Sequence, residues 1–125
     1  MSGALLATLA AGNSGGGGTV VPDTLSWANI IGEEVGENAA LTIAGITVPI
    51  NIQGSLTGNG DLFYIHDGTY SASGAVFAVN DGDTLAWGVS NSGFSPVSGT
   101  VTVTNVSDSD TVLDTFTYRV TGGDE

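Results

Sequence analysis

From Thr24 to Val120 the large apolar residues recur at every second position, and this period of two constrains the chain more than any other feature. Successive side chains of a strand point to opposite faces, so strict alternation describes half-buried strands and excludes an amphipathic helix. In Ile46-Thr-Val-Pro-Ile-Asn-Ile-Gln53, Ile46, Val48, Ile50 and Ile52 share one face. Pro49 cannot donate to a ladder, which places this strand at an edge or a bulge. Asp83–Ser90 aligns Leu85, Trp87 and Val89, and Thr100–Thr104 alternates likewise. Thr111–Val120 points Val112, Phe116, Tyr118 and Val120 inward. Leu25–Ile31, Ala40–Ile43, Asp61–His66 and Ala75–Val79 are shorter candidates.

Turn-forming clusters separate these runs: Thr57–Asp61, Asp67-Gly68, Asn80–Asp83, Asn91–Gly93 and Ser107–Asp110. Seven or eight short strands at near-regular spacing predict an all-β sandwich of antiparallel strands over residues 20–121. Its expected core unites Trp87, Val101, Val103, Phe116 and Tyr118 between two sheets, and no helix of consequence is expected after residue 20.

The ends differ in kind. Residues 122–125 form a short acidic tail. Residues 1–19 hold Leu5, Leu6 and Leu9 at helical spacing, with Ser2 as a possible cap, followed by a glycine-rich stretch containing Gly15–Gly18. The segment lacks the basic start of a secretory signal and its apolar run is short, so it reads as an arm docking on a partner through the three leucines.

Composition narrows the partners. Thirteen acidic residues against one Arg and no Lys give a net charge of −12. A nucleic-acid interface needs a basic stripe, which this chain cannot supply. Without cysteine there is no disulfide, thiolate metal site or cysteine nucleophile. No apolar run approaches the ~20 residues of a membrane span.

The candidate sites are few. His66 is the sole imidazole; with Asp61, Asp67 and Ser71 it suggests a hydrolytic triad, but no nucleophile-elbow sequence surrounds any serine, and a hydrogen-bonded surface histidine is expected. Asp81 with Asp83, and Asp108 with Asp110, offer oxygens to calcium without the spacing of a known loop, so no metal or cofactor is expected. Glu33, Glu34 and Glu37 read as a solvated acidic face, Arg119 as the partner of a carboxylate, and Asn105-Val-Ser107 as a chance glycosylation sequon. Trp27, Tyr64 or Tyr70, if exposed, would suit stacking on a sugar.

Ile46-Thr-Val-Pro-Ile-Asn-Ile52, Asp67-Gly-Thr-Tyr-Ser-Ala-Ser-Gly74, Val79-Asn-Asp-Gly-Asp-Thr-Leu85, Ser98-Gly-Thr-Val-Thr-Val103 and Asp114-Thr-Phe-Thr-Tyr-Arg-Val120 follow one another in a distinctive order. Together they resemble an Ig-like module of bacterial surface proteins and phage virion proteins over about residues 43–121, departing from it in the longer acidic hairpin at Asn105–Asp110. The resemblance implies a non-enzymatic role. The expected setting is a virion, as a head decoration or minor structural protein anchored by residues 1–19 to a major capsid or tail protein, in many copies or as a homo-oligomer. A tail or fibre-base component is the near alternative. A secreted adhesion or carbohydrate-binding module, with weak glycan affinity, is the rival from another class.

Overall fold

The computed structural model describes residues 18–123. Leu5, Leu6, Leu9 and the acidic Asp124-Glu125 lie outside the described residues. Ten strand segments form the domain: β1 (Ile30–Glu33), β2 (Val35–Glu37), β3 (Leu41–Thr42), β4 (Ile50–Leu56), β5 (Asp61–His66), β6 (Thr69–Ala72), β7 (Phe77–Val79), β8 (Thr84–Ser90), β9 (Val97–Asn105) and β10 (Thr111–Thr121). A single 3-10 turn, Val106–Asp108, is the helical element among the described residues.

Pairing runs β6-β5-β8-β2-β1-β10-β9-β4-β7, with β3 also on β8. The path folds into two layers, β6-β5-β8-β2 with β3, and β1-β10-β9-β4-β7. The corner between them is Glu34, whose φ of 63° turns the chain from β1 into β2. Its backbone holds both layers: Glu34 N–H donates to Thr121 and its carbonyl accepts from Asn91, each at 2.8 Å. The result is an all-β, Ig-like sandwich.

Strands exceed the expected seven or eight because one long edge breaks into pieces. β2 and β3 both line β8, and Asn38 plugs the gap between them. Its amide donates to Trp87 O at 3.0 Å, and its side-chain oxygen accepts from Trp87 N at 2.9 Å. The β1–β10 pair is parallel, a departure from the expected antiparallel set.

Every inward apolar position of the central strands is closed to solvent. Trp87, Val101, Val103, Phe116 and Tyr118 belong to one cluster with Leu25, Trp27, Ile30, Ile43, Ile50, Ile52, Leu85 and Val120. Trp87 is 0 % exposed and packs across the layers onto Gly54 of β4. Both faces of β8 are covered, because the Phe63 ring lies over Gly88 on the outer side.

Three strand expectations change. β4 begins at Ile50, after Pro49, because Gly45 N and Ile46 N bond the Asp81 carboxylate (2.9 and 3.3 Å) and not a neighbouring strand. Ile46 is nonetheless buried. Val112 points outward, 53 % exposed, because the β9–β10 register shifts between Val112 and Asp114 and reverses the faces beyond it. Of Leu25–Ile31 only the last two residues enter a ladder; at Trp27 the Asp114 carboxylate accepts the backbone N–H at 2.7 Å, replacing a strand partner.

Both ends of the described chain pack on the sandwich. Thr19 N donates to Thr47 Oγ1 at 2.7 Å, and Thr47 N donates to Thr19 O at 3.1 Å. Gly123 N donates to Gly93 O at 3.2 Å.

Candidate functional site

Outward residues of β2, β5, β6 and β8 share one face of the sandwich. Cross-strand register brings Phe63 opposite both Gly88 and Ala72, Ile65 opposite Tyr70, and Asp61 opposite Ser90. Small residues on β8 and at Ala72 leave a shallow groove of about 460 Å³, lined by Val35, Glu37, Leu62, Phe63, Tyr70 and Ala72 with Asp61, Ser71 and Ser90. Phe63 and Tyr70 lean together, centroids 5.8 Å apart and planes at 31°. Tyr70 is 62 % exposed and Val35 also faces solvent. Hydrogen bonding to Glu37, reinforced by that residue's negative charge, raises the Tyr70 phenol above its ordinary value of 10.0. The phenol thus stands beside a carboxylate on an apolar floor. Such a surface can take an apolar group and a cation together.

Of the three aromatics considered for an exposed role, only Tyr70 has one. Trp27 is 4 % exposed; its indole Nε1–H donates to Leu85 O at 2.8 Å and its ring meets Trp87 edge-on. Tyr64 is half-buried and stacked on Phe77 at 3.7 Å. Alternation on Leu25-Ser-Trp27 held the signal for a buried Trp27.

Of the residues grouped with His66 in the sequence, Asp67 lies beside it and Asp61 and Ser71 do not; its near partner is Asp83. Its Nε2 is 2.7 Å from Asp83 Oδ2 and 3.7 Å from Asp67 Oδ2. Asp61 pairs with Ser90 at the far end of β5, and Ser71 pairs with Tyr64. Among the described residues no hydroxyl is hydrogen-bonded to His66, so the nucleophile of a triad is missing there. Asp83 also accepts Asn80 N at 2.8 Å; that backbone bond first, and His66 second, hold its carboxyl below the usual value of 3.8.

The remaining candidates are structural. Asp81 Oδ1 accepts the Gly45 and Ile46 amides, and the residues gathered round Asp83 are His66 and Asp67 rather than Asp81. Asp108 and Asp110 frame the turn in which Ser109 and Asp110 have φ of 54° and 60°. Glu33, Glu34 and Glu37 are exposed, as is Arg119. Among the described residues the ion pairs are those of His66, and Arg119 has none. The Asn105 side chain is fully buried, its Nδ2 donating to Val20 O at 2.8 Å, which removes the sequon from the surface.

Neither a family model nor a curated relative matches the chain. Similar solved structures include the N-terminal domain of PorA, at 17 % identity over 79 % of this chain and 86 % of that one, TM-score 0.37. An ASH/PapD-like domain of human CEP192 matches at 10 % identity over 82 % of each chain, TM-score 0.39. A mutant of the CFA/I adhesin CfaE of enterotoxigenic E. coli matches at 9 % identity over 83 % of this chain but 47 % of that one, TM-score 0.39.

Proposed function

We propose that this protein is a non-enzymatic interaction module that adheres to a protein surface through the outer face of β2, β5, β6 and β8. The observation that carries the reading is the Phe63–Tyr70 pair standing on a groove edged by Glu37 and Asp61. An exposed aromatic over an apolar floor is the composition of an interface centre. With −12 overall and carboxylates at the rim, the complementary partner presents apolar groups flanked by Lys or Arg. The test is co-sedimentation of the full chain with the particles or cells of its source, comparing wild type with Val35→Asp/Tyr70→Ala. Loss of attachment at unchanged Tm supports the reading.

A second reading, a virion head decoration or tail component anchored by its N-terminal segment, draws on a separate observation. Thr19 and Val20 are tied to Thr47 and Asn105, so the segment bearing Leu5, Leu6 and Leu9 joins the sandwich at a fixed point. Burying three leucines on a capsid or tail subunit contributes roughly 4–9 kcal/mol before ordering costs. Deleting residues 1–17 is its test: the domain stays folded and no longer attaches to particles. Weak glycan affinity belongs to the rival adhesion reading, and binding in a glycan array that Tyr70→Ala abolishes would favour it.

A further inference from the structure

His66, Asp67 and Asp83 lie away from the Phe63–Tyr70 groove, at the end of β5 where the β5–β6 turn meets the start of β8. From this juxtaposition we infer that the three side chains form a binding site for a divalent transition-metal ion, Zn²⁺ being the best fit. One donor atom from each lies within 4.8 Å of the others. Two segments far apart in sequence supply them: Asp67 opens the Asp67-Gly68 turn with φ of 50°, and Asp83 precedes β8 seventeen residues from His66.

The distances suit an ion. Ligands at about 2.0–2.2 Å from a tetrahedral Zn²⁺ stand about 3.4 Å from each other. His66 Nε2 stands 2.7 Å from Asp83 Oδ2 and 3.7 Å from Asp67 Oδ2, bracketing that separation. An ion would require the His66–Asp83 contact to open by about 0.7 Å, a movement these partly exposed side chains can make. Both carboxylates are held in place: Thr84 N donates to Asp67 Oδ1 at 2.8 Å, leaving Asp67 Oδ2 towards the imidazole, and Asn80 N donates at 2.8 Å to Asp83 Oδ2, the oxygen that faces His66 and keeps a further lone pair. Phe77 packs against the His66 ring at 6.1 Å and limits its rotation.

The donor set selects the metal. One imidazole nitrogen with two carboxylates suits zinc, copper or nickel, whereas calcium asks for six to eight oxygens. Three protein ligands leave a fourth position for water or for a donor from another molecule. A bound ion would cross-link the β5–β6 turn to β8.

Isothermal titration of the full chain with ZnCl₂ tests this, at physiological salt with excess Mg²⁺ to suppress non-specific binding to so acidic a protein. The expected result is one Zn²⁺ per chain, with a chemical-shift change at the His66 imidazole and a Tm that rises with Zn²⁺. His66→Gln and Asp67→Asn each weaken binding by about 100-fold or more, since even outer-shell changes cost about 10–100-fold. Asp67→Asn keeps an oxygen for Thr84 N, so its fold is preserved. No saturable binding, or binding that His66→Gln leaves intact, would overturn the assignment.

Discussion

The indole of Trp27 meets that of Trp87 edge-on, with ring centroids 6.1 Å apart and planes at 86°. Trp27 comes from the irregular entry segment and Trp87 from the centre of β8, so this contact seals the first residues of the domain onto its core. Trp27 also touches Phe116 at 6.2 Å and Trp87 touches Phe77 at 6.0 Å. Trp87→Ala is expected to cost about 3–5 kcal/mol by urea denaturation. A Trp27→Leu/Trp87→Phe double-mutant cycle should return a coupling of about 0.5–1.5 kcal/mol; additive effects would show that the edge contact contributes nothing.

Gly54 exists to admit Trp87. A Cβ there would collide with the Trp87 ring, whose atoms occupy the space a side chain needs. Gly54→Ala should therefore destabilise by about 1–3 kcal/mol, as overpacking does. Adding Trp87→Phe should recover part of the loss, and a neutral Gly54→Ala would place the ring elsewhere.

How much of this was legible follows from what alternation can encode. It assigns Leu85, Trp87, Val101, Val103, Phe116 and Tyr118 to inward faces because each lies in an uninterrupted run. It fails at Val112, where the bulge before Asp114 inserts a residue that composition does not announce. It also fails ahead of Pro49, where a distant Asp81 carboxylate accepts the Gly45 and Ile46 amides that a ladder would have paired. The outer face was illegible for a different reason. Phe63 and Tyr70 meet through the β5–β6 register, and their groove needs the small residues of β8, which belong to another part of the chain. The same holds for His66: Asp83 lies seventeen residues away, and only the β5–β8 pairing brings it within 2.7 Å.

Asp83 makes stability depend on acid. Its folded pKa lies below its ordinary value of 3.8, first because Asn80 N–H and then because His66 hydrogen-bond its charged form. The unfolded chain thus binds the proton more readily, so the stabilisation is complete above the unfolded value and is lost as pH falls through the folded one. Asp83→Asn should lower stability at neutral pH by an amount near the lower end of about 1.5–3 kcal/mol. It should also flatten the decline in stability below about pH 4. Denaturant midpoints from pH 2 to 7 measure both effects, and parallel curves for the two proteins would contradict the assignment.

Asn105 serves the fold and not a glycan. With its side chain buried and Nδ2 bonded to Val20 O, expression in a glycosylating host should leave Asn105 unmodified by mass spectrometry. Asn105→Ala should cost about 1–3 kcal/mol by orphaning the Val20 carbonyl and should speed amide exchange around Thr19–Val21.

The outer face of β2, β5, β6 and β8 is the central functional assignment, and attachment of the full chain to its native particle or cell surface tests it most directly. Val35→Asp/Tyr70→Ala should abolish saturable co-sedimentation while leaving Tm within about 2 °C of wild type, since surface changes away from structural features stay within about 0.5 kcal/mol. Undiminished attachment by this variant would contradict the assignment, and its abolition by deletion of residues 1–17 alone would move the anchor to the N-terminal segment.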